Sequence, residues 1–219
     1  MTEVKPVIGV DESGKGDYFG PLVIAGVFIN AGSEKKLQDL NIRDSKLITD
    51  KRILVLAAEI KKHTAHSVVV VGPEKYNGLY VKIKNLNKLL AWGHARVIED
   101  LLETEGVKCD TVISDKFGND RFIKAALMEK GKAVKLISET KAERYFAVAC
   151  ASILARAGFL EGMAALSKEI GFELPKGASK EAEAGAVRLR EKMGMEIFAR
   201  VAKLHFKTTG KISGQIKLL

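Results

Sequence analysis

An α/β fold, with one mixed sheet flanked by helices, is predicted by three observations. Short β-rich apolar runs alternate with helical stretches along most of the 219 residues. The first two runs, Val7–Val10 and Leu22–Ile29, are separated by a turn short enough to make them antiparallel neighbours, while the later runs alternate with helices. Hydrophobic residues make up 47% of the chain, enough for a sizeable core. No internal repeat or low-complexity linker interrupts the pattern. One domain is expected over residues 1–219, with a sheet-and-helix core to about residue 165 and a helical C-terminal extension over about 166–219.

The elements follow in order. After the two opening strands, Ser33 is expected to cap a short helix ending near Leu40. Thr49 or Asp50 caps the next, over Lys51–Lys62, whose Ile53, Leu54, Ala57, Ala58 and Ile60 recur at near-helical spacing. Ser67–Val71 reads as a strand stopped by Gly72-Pro73. Asn85–Glu103 is the clearest helix, with Leu86, Leu89, Leu90, Val97, Leu101 and Leu102 on one face. Cys109–Ile113 is a fourth strand. A helix from Asn119 or Asp120 to about Lys130 and a fifth strand, Ala133–Ile137, come next. Thr140 is expected to cap an alanine-rich helix from about Ala142 through Met163. Helices over about Lys180–Met193 and Glu196–Lys203 precede a basic tail without clear pattern.

Lysine and arginine number 36 against 27 acids, a formal net charge of +9, which points first to a polyanionic partner such as nucleic acid. The two cysteines, Cys109 and Cys150, lie far apart in apolar settings, read as reduced core residues, and form no C-x-x-C pair for zinc. The N-terminus lacks the pattern of a secretory signal, and no run approaches about 18 consecutive apolar residues. A cytoplasmic monomer without a membrane segment is expected.

Chemistry concentrates in VIGVDESGKGDYFGPL, residues 7–22. Asp11 and Glu12 stand where the first strand should end, and Gly14-Lys15-Gly16 follows at once. The spacing Gly9-x-x-x-x-Gly14-Lys15 imitates a nucleotide-binding loop, but Gly16 replaces the required Ser or Thr and two acids would sit inside the phosphate cradle, which excludes that reading. Carboxylates at a strand end are costly to bury unless a cation meets them. Asp115 stands just beyond the fourth strand, and Glu143 in the first turn of the alanine-rich helix. If the first and fourth strands are neighbours, their ends gather three carboxylates, which repel unless hard divalent ions bridge them. Magnesium or manganese fits oxygen ligands better than zinc. Two such ions could drive in-line displacement at phosphorus. His63 and His66 form H-x-x-H without a third ligand, and His94 reads as a helix-face residue.

The stretch Asp11-Glu12-Ser13-Gly14-Lys15-Gly16-Asp17-Tyr18-Phe19-Gly20-Pro21-Leu22 resembles the opening motif of ribonuclease HIII, whose sister ribonuclease HII carries a Gly-Arg-Gly version without the Asp-Tyr-Phe. Further matches fall in family order at Asp44-Ser45-Lys46, Pro73-Glu74-Lys75-Tyr76-Asn77, Asn85-Leu86-Asn87, Leu90-Ala91-Trp92, Ser114-Asp115-Lys116-Phe117, Lys141-Ala142-Glu143, Ala151-Ser152-Ile153, Leu174-Pro175-Lys176-Gly177-Ala178 and Lys203-Leu204-His205-Phe206. The resemblance implies an RNase H-like mixed five-stranded sheet flanked by helices. It implies cleavage of the RNA strand of RNA/DNA hybrids to 5′-phosphate and 3′-hydroxyl ends. It also implies a site of Asp11, Glu12, Asp115 and Glu143 holding Mg2+ or Mn2+, with two ions expected. Glutamate at position 143, where the sister enzymes carry aspartate, favours the HIII assignment. Ser13, Gly14, Lys15 and Gly16 are assigned to the 2′-hydroxyl and phosphate of the substrate, and Asp44, Ser45, Lys46 and Lys141 to further substrate contacts. The family's usual N-terminal substrate-binding domain is expected to be missing. The rivals are ribonuclease HII-like cleavage at single ribonucleotides embedded in duplex DNA, a hybrid-binding module without catalysis, and transposase-like phosphoryl transfer.

Overall fold

The sheet is built around Val7–Ser13 (β1), which carries both opening carboxylates. The structure is a computed structural model that describes residues 5–42 and 48–214. Strands β1, Leu22–Ile29 (β2), Ala65–Val71 (β3), Thr111–Asp115 (β4) and Lys135–Glu139 (β5) form one five-stranded sheet in the order β3-β2-β1-β4-β5. β1 runs antiparallel to β2 and parallel to β4, and β4 runs parallel to β5, so the sheet is mixed as predicted. Every residue of β2 is buried, which explains its unbroken apolar run.

Ten α-helices are described: α1 Ala31–Leu37, α2 Asp50–His63, α3 Pro73–Ile83, α4 Leu86–Glu103, α5 Arg121–Ala126, α6 Glu129–Ala133, α7 Phe146–Ile170, α8 Lys180–Met193, α9 Phe198–Val201 and α10 Lys207–Ile212. Their starts follow capping chemistry. Asn30, not Ser33, caps α1; Ser33 sits at the third helical position and closes a reciprocal capping box with Asn30. Thr49 caps α2 and Asn85 caps α4. On α2 the buried face is Ile53, Leu56, Ala57 and Ile60, while Leu54 is 42% exposed.

Several boundaries differ from the sequence reading, each for a local reason. β1 continues past Val10 through Asp11, Glu12 and Ser13, because these pair in register with Ala25, Ile24 and Val23 of β2. Gly72-Pro73 ends β3 but also opens α3, since proline at the first helical position gives up no needed N–H. The helix expected to about Lys130 breaks into α5 and α6 at Leu127, whose ψ of 134° is not helical. Glu143 lies in a separate 3-10 turn, Ala142–Arg144, with α7 starting only at Phe146. The patternless tail contains α10. Although α7 has no long unbroken apolar run, its alanine and glycine content makes it long and apolar enough to cross a membrane (mean hydropathy 1.4), and 67% of that window is buried within the protein.

The chain divides into two compact units. The first, Met1–Ser13, Val23–Val69 and Asn85–Gly158, holds most of the sheet and α4. Here Gly9 lets the start of α7 reach the sheet: a Cβ on Gly9 would stand 2.2 Å from the Ala147 carbonyl carbon and 2.3 Å from the Val148 nitrogen. Ile113, Ala142 and Val148 form a small core cluster, with Val7, Ile137 and Tyr145 packed on it, and so seat the 3-10 turn.

The second unit, Gly14–Leu22, Val70–Lys84 and Phe159–Leu219, is organised around Lys203. This lysine is fully buried, and its ammonium donates to the carbonyls of Asp17 (2.8 Å), Phe19 (3.4 Å) and Gly20 (2.7 Å). Asp17 Oδ1 accepts the Gly177 N–H at 2.6 Å, and the Tyr18 N–H donates to the Gly177 carbonyl at 2.9 Å. Asn77 donates to the carbonyls of Ala199 (3.2 Å) and Ala202 (2.9 Å) and accepts from the Leu204 N–H (3.0 Å). Asp17-Tyr18, Tyr76-Asn77, Lys176-Gly177 and Lys203-Leu204 are thus one hydrogen-bonded brace around the segment that follows Gly14-Lys15-Gly16.

Candidate active site

Three of the four predicted carboxylates meet on adjacent strands of the first unit. Parallel pairing sets Val10 beside Ser114, so that Asp11 and Glu12 on β1 and Asp115 on β4 leave the same end of the sheet. Asp11 is half-buried, accepts the Glu12 N–H at 2.7 Å and is bonded to Ser152 of α7. Burial is the largest influence on its carboxyl, followed by the like charge of Glu12, with Asp115 adding to it; together they push it from 3.8 up to about 8, against the opposing Glu12 N–H and Ser152 bonds. Asp115 Oδ1 accepts the Ala142 N–H at 3.0 Å, which ties the 3-10 turn carrying Glu143 to β4.

Glu143 is half-buried and joins the group through that backbone bond rather than through its carboxylate. Among the described residues, no three His, Cys, Asp or Glu side chains form a ready-made cation cage. The donor chemistry nevertheless fits hard divalent ions: all-oxygen ligands, and one acid crowded by two others. Glu139, opposite Asp115 in the β4–β5 register, is an acid the sequence reading passed over. It is paired with Arg144 and accepts from the Tyr145 hydroxyl at 3.2 Å, so its charge is already met.

The sequence reading also missed His94. It lies on a face of α4, as read, but that face is fully buried. Its Nε2 lies 3.1 Å from Glu12 Oε2, and its Nδ1 lies 3.1 Å from the Ser114 hydroxyl. Ser114 Oγ also donates to the Asp115 carbonyl at 3.0 Å. The cue in sequence was its helical spacing, which puts it on the same face as the apolar Leu90 and Val97. His63 and His66 do not form a site: His63 faces Glu59 at 3.6 Å and His66 contacts the Thr64 carbonyl.

Of the predicted substrate contacts, Ser13 ends β1 opposite Val23. Gly14 opens the turn at φ 84°, where a Cβ would stand 2.1 Å from the Pro21 carbonyl oxygen, and Gly16 is exposed. Lys141 is exposed in a left-handed conformation, φ 58°, ahead of the 3-10 turn. Asp44, Ser45 and Lys46 lie outside the described residues.

A five-stranded mixed sheet with acids at the ends of its adjacent parallel strands defines the ribonuclease H class of metal-dependent nucleases. A family model described as Ribonuclease HII matches residues 8–209. Ribonuclease HIII of Protochlamydia amoebophila is 46% identical over 98% of this chain and 70% of its own length. That of Chlamydia abortus is 41% identical over 94% and 69%. The crystal structure of Bst-RNase HIII in complex with Mn2+ superposes with a TM-score of 0.88 at 32% identity, covering 98% of this chain and 71% of that one. The chain belongs to the ribonuclease HII family, within its ribonuclease HIII branch, and is a ribonuclease H endonuclease.

Proposed function

We propose that Asp11, Glu12, Asp115 and Glu143 hold two divalent ions, Mg2+ or Mn2+, and that the chain hydrolyses the RNA strand of RNA/DNA hybrids to 5′-phosphate and 3′-hydroxyl ends. The observation that carries this reading is the crowding of Asp11 by Glu12 and Asp115 at the ends of β1 and β4. A half-buried acid raised to about 8 in such company is stabilised by a cation. The Mn2+ complex of Bst-RNase HIII supports the choice of metal. Bound ions would polarise the scissile phosphodiester and activate water.

The chain's own groups divide the remaining work. Asp11 and Asp115 present oxygens from adjacent strands, and Glu12 and Glu143 flank them from β1 and from the 3-10 turn. Ser13 and the Gly14-Lys15-Gly16 turn follow directly in the chain. There, glycine backbone approaches the ribose edge and its 2′-hydroxyl while Lys15 meets a phosphate. Lys141 meets a further phosphate, and the Asp44-Ser45-Lys46 segment supplies a further substrate contact. The two free cysteines suit a reducing compartment such as the cytoplasm, and the chain acts as a monomer.

Asp11→Asn should abolish Mg2+- or Mn2+-dependent cleavage of a hybrid while leaving hybrid binding largely intact. Normal cleavage by that variant, or cleavage in chelator, would overturn the site. The family model's description as Ribonuclease HII keeps a second reading in play, incision at single ribonucleotides in duplex DNA. A duplex with one ribonucleotide, cut faster than an all-RNA strand on DNA, would select it.

A further inference from the structure

We propose that His94 is a positioning residue that fixes the Glu12 carboxylate for its metal, an inference that rests on Glu12 being a ligand as proposed above. The geometry is specific. The imidazole is fully buried, and both ring nitrogens are engaged at 3.1 Å, one by Glu12 of β1 and the other by Ser114 of β4. The Ser114 hydroxyl is itself anchored to the Asp115 carbonyl, and the ring lies against Phe117 with centroids 4.6 Å apart. His94 therefore couples the two strands that bear the acids, through side chains only 0% and 5% exposed for His94 and Glu12.

Nothing in the packing of α4 asks for imidazole at this position. Its neighbours Leu90, Ala91, Ala95, Val97 and Ile98 are apolar and buried. A polar ring costs desolvation there, which the two hydrogen-bonded contacts offset only because Glu12 and Ser114 stand where they do. Holding Oε2 at 3.1 Å restricts rotation of the glutamate and so fixes the carboxylate's orientation. Groups that orient a metal-bound carboxylate in this way typically change metal affinity or activity about 10- to 100-fold when removed.

The test uses two variants that keep different halves of the ring's bonding. Asparagine places its amide nitrogen near the position of Nδ1, toward Ser114, whereas glutamine places its own near Nε2, toward Glu12. Mn2+ binding is measured by calorimetry on His94→Asn, His94→Gln and the unaltered chain, beside kcat and KM for a hybrid across an Mn2+ titration. His94→Asn should weaken Mn2+ binding about 10- to 100-fold, lower kcat at limiting Mn2+ with KM unchanged, and recover at excess Mn2+. His94→Gln should regain most of that affinity. Equal loss in both variants, or unaltered Mn2+ affinity in His94→Asn, overturns the proposal. Should neither variant fold by circular dichroism, Ser114→Ala decides it. Freeing the ring should weaken Mn2+ binding, and unchanged affinity refutes the role. Asp11→Asn separates the two readings: if it still cleaves, the site is wrong, whereas an inactive Asp11→Asn beside an unaffected His94→Asn defeats only the role of His94.

Discussion

The Lys203 ammonium donates to the Gly20 carbonyl at 2.7 Å from a side chain with no exposed surface, and the same nitrogen reaches the carbonyls of Asp17 and Phe19. Three N–H donors meet three acceptors, a match that methionine, of similar length, cannot make. Lys203→Met strands buried carbonyls at about 1–3 kcal/mol each. The expected result is a loss of about 3 kcal/mol or more in urea denaturation, and a rise in KM for the hybrid as the segment after Lys15 loosens.

The same lysine gives stability a pH signature. Burial pushes its ammonium from 10.5 down to about 7, with the Asp17 carboxylate opposing in part. Between those values the unfolded chain binds the proton that the folded chain has released, so stability rises with pH across the window. The contribution is complete above the unfolded value of 10.5 and lost as pH falls through about 7. Denaturation of the unaltered chain and of Lys203→Met should therefore differ more at about pH 9 than at about pH 7. A difference flat with pH would mean that the three carbonyls keep the ammonium charged throughout.

Much of this was legible in sequence, where local chemistry decides. Leu22–Ile29 and Lys180–Met193 have the bounds read from their apolar patterns, because one is a wholly buried strand and the other an amphipathic helix ended by Gly194. Asp11, Glu12 and Asp115 stand out in sequence because acids beside apolar runs violate burial rules. What was not legible depends on distant partners. β1 continues through its acids only because β2 pairs with them. His94 gains meaning from Glu12, 82 positions earlier, and Lys203 from carbonyls more than 180 positions away. A buried lysine in a basic chain carries no local mark.

Gly9→Ala tests how the sheet holds α7. The added methyl would meet backbone atoms of Ala147 and Val148 at 2.2 to 2.5 Å, and backbone cannot move aside as a flexible side chain can. Overpacking of this kind costs about 1–3 kcal/mol or more. At about 2–4 °C per kcal/mol for a chain of this size, Tm should fall by at least several degrees. Asp11 lies two residues along the strand, and its partner Ser152 is on the displaced helix, so kcat should fall further than the lost stability accounts for. A variant with unchanged Tm would show that α7 can withdraw from β1 at no cost.

Metal should act on stability through the same carboxylates. In chelator at about pH 8, Asp11 bears its burial and the charges of Glu12 and Asp115, which the Glu12 N–H and Ser152 bonds offset only in part. Asp11→Asn removes that penalty, so the inactive variant should melt higher than the unaltered chain in chelator, a familiar exchange of function for stability. Mn2+ at 100 times its dissociation constant should stabilise the unaltered chain by about 2.7 kcal/mol, or about 5–11 °C in Tm. The same Mn2+ should move Asp11→Asn far less. Differential scanning calorimetry of both proteins, with and without Mn2+, reads all four states. An equal metal-dependent rise in the two would place the cation away from Asp11.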